Sequence, residues 1–254
     1  VTGVSPSAPS GPSLAGELYT STTAKSWSAD DSGGCSPANP QGTVATLAYL
    51  ERLIELARQF DFVVLSDECY SEIYAAEPPP GILAAAAKSG SLNNVLVFNS
   101  LSKRSSVPGL RSGFMAGDSD IVKRVRMMRS YGGALPSLPV LAAAAALWRD
   151  EAHVIENRRR YEGKFDIAER IIGNRFGYYR PAGGFFLWLD VGDCEETTTT
   201  LWREAGLKVL PGGYVARSVP NEPNPGAPYI RLALVHDNAT TEEALTRLTS
   251  VLPS

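Results

Sequence analysis

Residues 95–114 read VLVFNSLSKRSSVPGLRSGF. Val95 to Asn99 is a continuous apolar-rich run, too short for a helix of ordinary length and bounded by serine. Such a run marks a strand buried on both faces, as in parallel sheets. Ser100-Leu101-Ser102-Lys103 then leaves the strand in a short Ser-rich turn. Pro108-Gly109 turns the chain again before a shorter third strand, Arg111 to Ala116, which Gly113 weakens. A lysine and an arginine therefore stand just beyond the end of a buried strand, where open α/β sheets place ligands.

Upstream, Phe62 to Ser66 (FVVLS) is another buried strand. It follows Thr46 to Phe60, where Leu47, Leu50, Leu53, Ile54 and Ala57 recur at helical spacing and Thr46 can cap the start. Downstream, Asp120 to Met128 begins a basic helix, and Val140 to Trp148 an alanine-rich one continuing toward Arg170. A different set follows. Gly184 to Val191, Leu207 to Leu210 and Tyr229 to Val235 read as strands, with helices near Thr198 to Ala205 and Thr241 to Leu252. This order predicts an α/β fold: a mostly parallel sheet over residues 35–150, then a smaller α+β domain over 151–254. Residues 1–34 stand apart. Twenty of these 34 are Ser, Thr, Gly or Pro without a sustained period, which reads as a low-complexity, disordered leader.

The chain of 254 residues carries 24 basic and 27 acidic side chains, a net charge of −3. A weakly acidic surface is a poor nucleic-acid binder. No apolar run approaches the roughly 18 residues of a membrane span, and the first 16 residues lack the pattern of a signal peptide. The three cysteines, Cys35, Cys69 and Cys194, are odd in number and scattered, which suits a reducing compartment and hence the cytoplasm. The only histidines are His153 and His236, so no cluster has metal-ligand spacing and no metal is expected. There is no G-x-S-x-G elbow, and Ser100-Leu-Ser-Lys103 lacks the K-T-G partner of serine enzymes that use S-x-x-K.

Four side chains carry a coherent chemistry. Lys103 beside a buried strand can be desolvated, which lowers the pKa and makes the amine nucleophilic toward an aldehyde; otherwise it is a solvated loop lysine. Asp67 ends the FVVLS strand, so its carboxylate can balance a cationic ring nitrogen; otherwise it caps a turn. Tyr70 can donate to a ring oxygen or serve as a core tyrosine. Arg111 has the fork for a phosphate, with Ser100 and Ser102 as added donors, or makes a surface salt bridge. An aldehyde, a ring nitrogen, a hydroxyl and a phosphate together describe pyridoxal phosphate.

The stretches CSPANPQG, SDECYSEIY, NSLSKRSSVPGLRSGF and LPGGYVAR resemble those of the class I/II aminotransferases, which share fold type I of the pyridoxal phosphate enzymes. The intervals match as well: 28 residues from Asn39 to Asp67, 36 from Asp67 to Lys103, and 8 from Lys103 to Arg111. The resemblance runs from about Cys35 to the C-terminus. It implies that Lys103 holds the cofactor as a Schiff base and moves the proton at the substrate Cα. It further implies that Asp67 pairs with the pyridine nitrogen, that Asn39 and Tyr70 bond the ring oxygen, and that Ser100 and Arg111 grip the phosphate. Arg231, with Asn39, would bind the substrate α-carboxylate. Small amino and keto acids are the implied substrates, and a homodimer the implied assembly. Within the family, the motifs look most like succinyldiaminopimelate transaminases of lysine biosynthesis, with glutamate as donor.

Complete family members have much more chain before the N-P-x-G turn, including the loop that caps the phosphate and an aromatic that stacks on the ring. The expected strand before Cys35 is replaced by ADDSGG, which has little β propensity. The large domain is thus expected to be truncated, and the chain alone to be poorly soluble or weakly active. Two alternatives to the transaminase reading stand beside it: an inactive C-terminal part of such an enzyme, and a related pyridoxal phosphate lyase.

Overall fold

A computed structural model describes residues 18–19, 34–133, 135–219 and 221–252. Most of the leader expected over 1–34 lies outside the described residues. Within it, Leu18–Tyr19 forms a two-residue strand, β1. The first sheet has the order β1-β2-β3-β4, where β2 is Val63–Asp67, β3 is Val95–Ser100 and β4 is Gly113–Gly117. The pairs β1–β2 and β2–β3 are parallel, and β3–β4 is antiparallel. The two buried strands fall within one residue of their expected limits.

Helix α1, Leu47–Gln59, covers one face of β2 and β3. The Thr46 hydroxyl accepts from the Tyr49 amide at 3.2 Å, as the capping reading requires. Leu50, Ile54 and Ala57, at i, i+4 and i+7, are its buried positions. Burying a leucine or isoleucine there contributes about 1.5–3 kcal/mol each. Helix α2, Ile82–Lys88, completes this layer with Ile82, Ala85 and Ala86. Its seven residues gave no periodic signal long enough to be read from sequence. Helix α3 is one turn, Leu101–Arg104, at the end of β3.

Helices α4, Ser119–Gly132, and α5, Leu138–Arg149, follow β4. Among the described residues of α4 none is buried, and Met127, Met128 and Tyr131 face solvent. The alanine-rich run does not continue unbroken to Arg170. Asp150 adopts an extended conformation, and its carboxylate accepts from the Ala152 amide at 2.9 Å. That side-chain bond ends α5 and starts α6, Ala152–Ile172.

The second unit has an antiparallel sheet of order β5-β7-β6: Phe186–Asp190, Tyr229–Ala233 and Leu210–Pro211. The expected strand over 207–210 shrinks to the pair Leu210–Pro211. Helix α7, Cys194–Thr200, passes into a π-helical turn at Leu201–Ala205, and α8 spans Asn238–Val251. Phe165, Ala168, Leu187, Leu189, Ile230 and Leu248 anchor its core.

The two units meet through glycines. Gly42, at φ +71°, lies so close to the second unit that an added Cβ would sit 2.4 Å from Pro181 Cβ and 2.6 Å from the Gly183 carbonyl oxygen. The Gly183 amide donates to the Gly42 carbonyl at 3.0 Å, and Tyr74 bridges Gly183 in antiparallel fashion. This docking sets Phe185 and Phe186 against Tyr70.

Candidate active site

Lys103 owes its direction to the helix that carries it. In α3, Leu101 and Arg104 are buried on one side, leaving Ser102 and Lys103 half-buried on the other. The ammonium rests 4.9 Å from the Phe185 ring centroid and 5.6 Å from that of Tyr70. Ring faces attract a cation and shield it from water. Phe185 also stacks on Tyr161 of α6, at 5.3 Å and 14°.

Tyr70 is buried and meets both Phe185 and Phe186 edge-on, each at 5.6 Å. Burial, then the nearby Cys35 thiol, pushes its phenol up to about 12, with Arg231 opposing. It is therefore a proton donor at neutral pH rather than a phenolate.

Asp67 is the last residue of β2, where the strand ends toward the site. Its side chain is exposed, because β2 ends here. The Cys69 amide donates to Oδ1 at 3.0 Å. Among the described residues no cation forms an ion pair with it. Cys35 lies alongside as the parallel bridge partner of Asp67. Burial and the Asp67 charge push the Cys35 thiol up to about 11; burial and Asp67 push Cys69 up to about 12. Raised in this way, both thiols are neutral at physiological pH, which makes them poor nucleophiles.

Arg231 lies on β7, opposite Trp188 and Leu210. Its guanidinium sits 4.6 Å from the Phe186 centroid and donates from Nη1 to Asn39 Oδ1 at 2.8 Å. Burial draws its pKa down, with Tyr70 opposing. Phe185 and Phe186 have centroids 4.4 Å apart. The Lys103 ammonium and the Arg231 guanidinium therefore rest on adjacent aromatic rings.

Ser100 and Arg111 are placed differently. The Ser100 hydroxyl donates to Ser102 Oγ at 2.9 Å and accepts from the Ser102 amide at 3.1 Å. Arg111 has a left-handed backbone, φ +50°, just outside β4 rather than within it. Its guanidinium is exposed and donates to the Pro108 carbonyl at 2.9 Å. The neighbouring Ser112 carbonyl accepts from the Leu101 amide at 3.1 Å, so Arg111 and Ser100 belong to one corner. The structure thus gathers Lys103, Tyr70, Asn39 and Arg231 around two phenylalanines, with Asp67 beside them, and sets Ser100 and Arg111 at the other end of α3.

Phe185 and Phe186 were not singled out from the sequence. The available signal was the aromatic doublet in GGFF, two adjacent rings where strand alternation would send one outward. A second lysine, Lys164, is buried in the other unit. Burial pulls the pKa of Lys164 down, but its ammonium donates to the Leu234 carbonyl at 2.9 Å and is already engaged.

These residues suit pyridoxal phosphate by their donor chemistry: an amine, a carboxylate without a described cation, a neutral phenol, and a hydroxyl–guanidinium corner. Comparisons with known proteins agree. The model of the family "Aminotransferase class I and II" matches residues 34–248. An aminotransferase crystal structure from Neisseria meningitidis is 44% identical with a TM-score of 0.82, covering 87% of this chain and 57% of that one. The 4-dedimethylamino-4-oxo-anhydrotetracycline transaminase of Streptomyces rimosus is 31% identical over 215 residues, 84% of this chain and 58% of that protein. An LL-diaminopimelate aminotransferase of Moorella thermoacetica is 31% identical over 225 residues, 85% of this chain and 54% of that protein. The chain spans little more than half the length of these relatives. With the family model matching most of its residues, the chain belongs to the class I and II aminotransferases.

Proposed function

We propose that this chain carries the reactive lysine and the substrate-binding residues of an aminotransferase that moves an amino group between an amino acid and a keto acid. The family depends on pyridoxal phosphate. The observation that carries the reading is the pairing of two cations on one aromatic doublet: Lys103 on Phe185 and Arg231 on Phe186.

Bound here, pyridoxal phosphate supplies an electron sink for the pair left when a substrate Cα proton departs. Lys103 would be the residue that holds the group, and its amine would move the proton at the substrate Cα. Asp67 would balance the ring nitrogen, and the Tyr70 phenol, with Asn39, would donate to the ring oxygen. Ser100 and Arg111 would hold the phosphate. Arg231 turns its fork to the substrate α-carboxylate, while Phe185 and Phe186 exclude water from the reacting atoms.

For the donor we propose glutamate, and for the acceptor a keto-pimelate derivative such as N-succinyl-2-amino-6-ketopimelate. The sequence motifs and the LL-diaminopimelate aminotransferase relative support a lysine-precursor substrate. A homodimer and a cytoplasmic setting accompany this reading. Among the described residues no helix is long and apolar enough to cross a membrane.

The test is direct. The chain is incubated with pyridoxal phosphate, reduced with borohydride, and its peptides weighed. Labelling of Lys103, lost in Lys103→Ala, together with conversion of glutamate to its keto acid, is expected. Label spread evenly over the lysines would refute the assignment.

A further inference from the structure

We infer that Arg104, the residue after the reactive lysine, is a positioning residue that fixes the direction of Lys103 through a buried ionic clamp. This rests on the reading of Lys103 as the reactive amine.

A helix of four residues cannot hold its own orientation, because nucleation costs more than one turn of hydrogen bonds returns. The orientation of α3 must therefore come from its buried side. Leu101 is fully buried and Arg104 is 3% exposed, three positions apart and on the same side of the turn. An arginine so deeply buried has to be compensated by charge and acceptors. Five groups do this. Glu151 bonds Nη2, and Glu72 lies 3.7 Å from Nε. The carbonyls of Leu147 and Asp150, at the end of α5, each accept from Nη1 at 3.3 Å. The Trp148 ring lies 5.4 Å from the guanidinium carbon.

Glu72 is the informative partner. It lies two residues beyond Tyr70, and its other oxygen takes Arg158 of α6 at 3.4 Å. Arg158 in turn lies 3.8 Å over the Tyr74 ring and donates to the Glu72 carbonyl at 3.1 Å. One carboxylate thus ties the helix of Lys103 to the turn of Tyr70, whose ring the lysine faces. A second tie lies next to it: His153 bridges Ser105 Oγ and Asp150 Oδ2, both at 2.8 Å. Among the described residues the lysine side of α3 has Ser102 bonded to Ser100 and the ammonium over two rings but no ion pair, so the charged anchor of its bearing lies on the arginine side.

The test reads Lys103 without any cofactor. Intact wild-type chain, Arg104→Met, Arg104→Lys and Glu72→Gln are labelled with trace acetic anhydride across a pH series, and peptide masses give the reactivity of each lysine. In Arg104→Met the amine should leave its aromatic wall. Acetylation of Lys103 should then rise at least threefold relative to Lys88 and Lys208, with a displaced pH profile. Arg104→Lys should restore most of the wild-type profile, and Glu72→Gln should move Lys103 in the same direction by less. An unchanged Lys103 profile in the folded variants overturns the inference, as does an equal rise at all three lysines. Should Arg104→Met not fold, Glu72→Gln decides alone by the same two outcomes. If pyridoxal phosphate fails to label wild-type Lys103 while the arginine-dependent shift stands, the proposed function falls and the positioning role survives.

Discussion

Arg231 and Asn39, 192 positions apart in the chain, share a hydrogen bond of 2.8 Å from Nη1 to Oδ1. The bond joins the central strand of the second sheet to the turn of the first unit that docks against the second. It uses one of the five donors of a guanidinium, leaving the fork available for a carboxylate.

Arg231→Lys should therefore keep the charge but lose the bidentate grip. Hydrogen bonds to charged groups contribute about 1.5–3 kcal/mol, so kcat/KM for the amino donor should fall by about one to two orders of magnitude, chiefly through KM. Asn39→Ala, which removes one neutral acceptor, should cost about tenfold or less. Half-reaction kinetics with glutamate measure both. An Arg231→Lys enzyme with unaltered KM would contradict the carboxylate role.

Cys35, Cys69 and Tyr70 are acids whose neutral form the fold favours, with values near 11, 12 and 12 against ordinary values of 9.0, 9.0 and 10.0. The folded chain holds these protons more tightly than the unfolded one. Their contribution to stability is therefore complete below the ordinary values and is lost as pH rises through the folded ones. The thermal midpoint should change little from neutrality to the ordinary thiol value of 9.0 and then fall toward 11. In the same alkaline window Cys69→Ser should flatten the fall. At pH near 8 both thiols should react with iodoacetamide far more slowly than a free cysteine does, by about tenfold or more.

Gly42→Ala should destabilise the docking of the two units. The new methyl would meet Pro181 at 2.4 Å and the Gly183 carbonyl at 2.6 Å, on a backbone already at φ +71°. Overpacking of this kind costs about 1–3 kcal/mol, and a left-handed alanine adds strain. Urea unfolding should show the loss. A variant as stable as the parent would mean that the turn at 39–42 is not clamped as described.

The α4 surface should respond in the opposite way. Met127, Met128 and Tyr131 are 67%, 64% and 91% exposed, a run of apolar surface on one helix. Met127→Lys combined with Tyr131→Lys should leave unfolding free energy within about 0.5 kcal/mol while reducing self-association in static light scattering. A large loss of stability would show that these side chains pack against the fold.

Local chemistry made much of this legible. Thr46 capped its helix as read, because capping involves only four consecutive residues. The VVLS and VLVFN runs became strands because continuous apolar residues leave little choice when both faces are buried. The break at Asp150 was not legible, because an alanine-rich pattern looks the same on both sides of one side-chain bond. Nor was the partner of Lys103. Phe185 comes from 82 positions further along and reaches the lysine only because Gly42 and Gly183 let two units touch.

The sequence by itself determined which functional groups exist and how the strands that bear them begin and end, since these follow from residue type and short-range period. Tertiary structure alone decided that a lysine and an arginine would rest on adjacent phenylalanine rings, that Asp67 would be left exposed, and that Arg104 would be buried in a clamp of two glutamates. Those are relationships between distant segments. Their energies depend on what surrounds each charge after the chain has closed, and no local pattern encodes that surrounding.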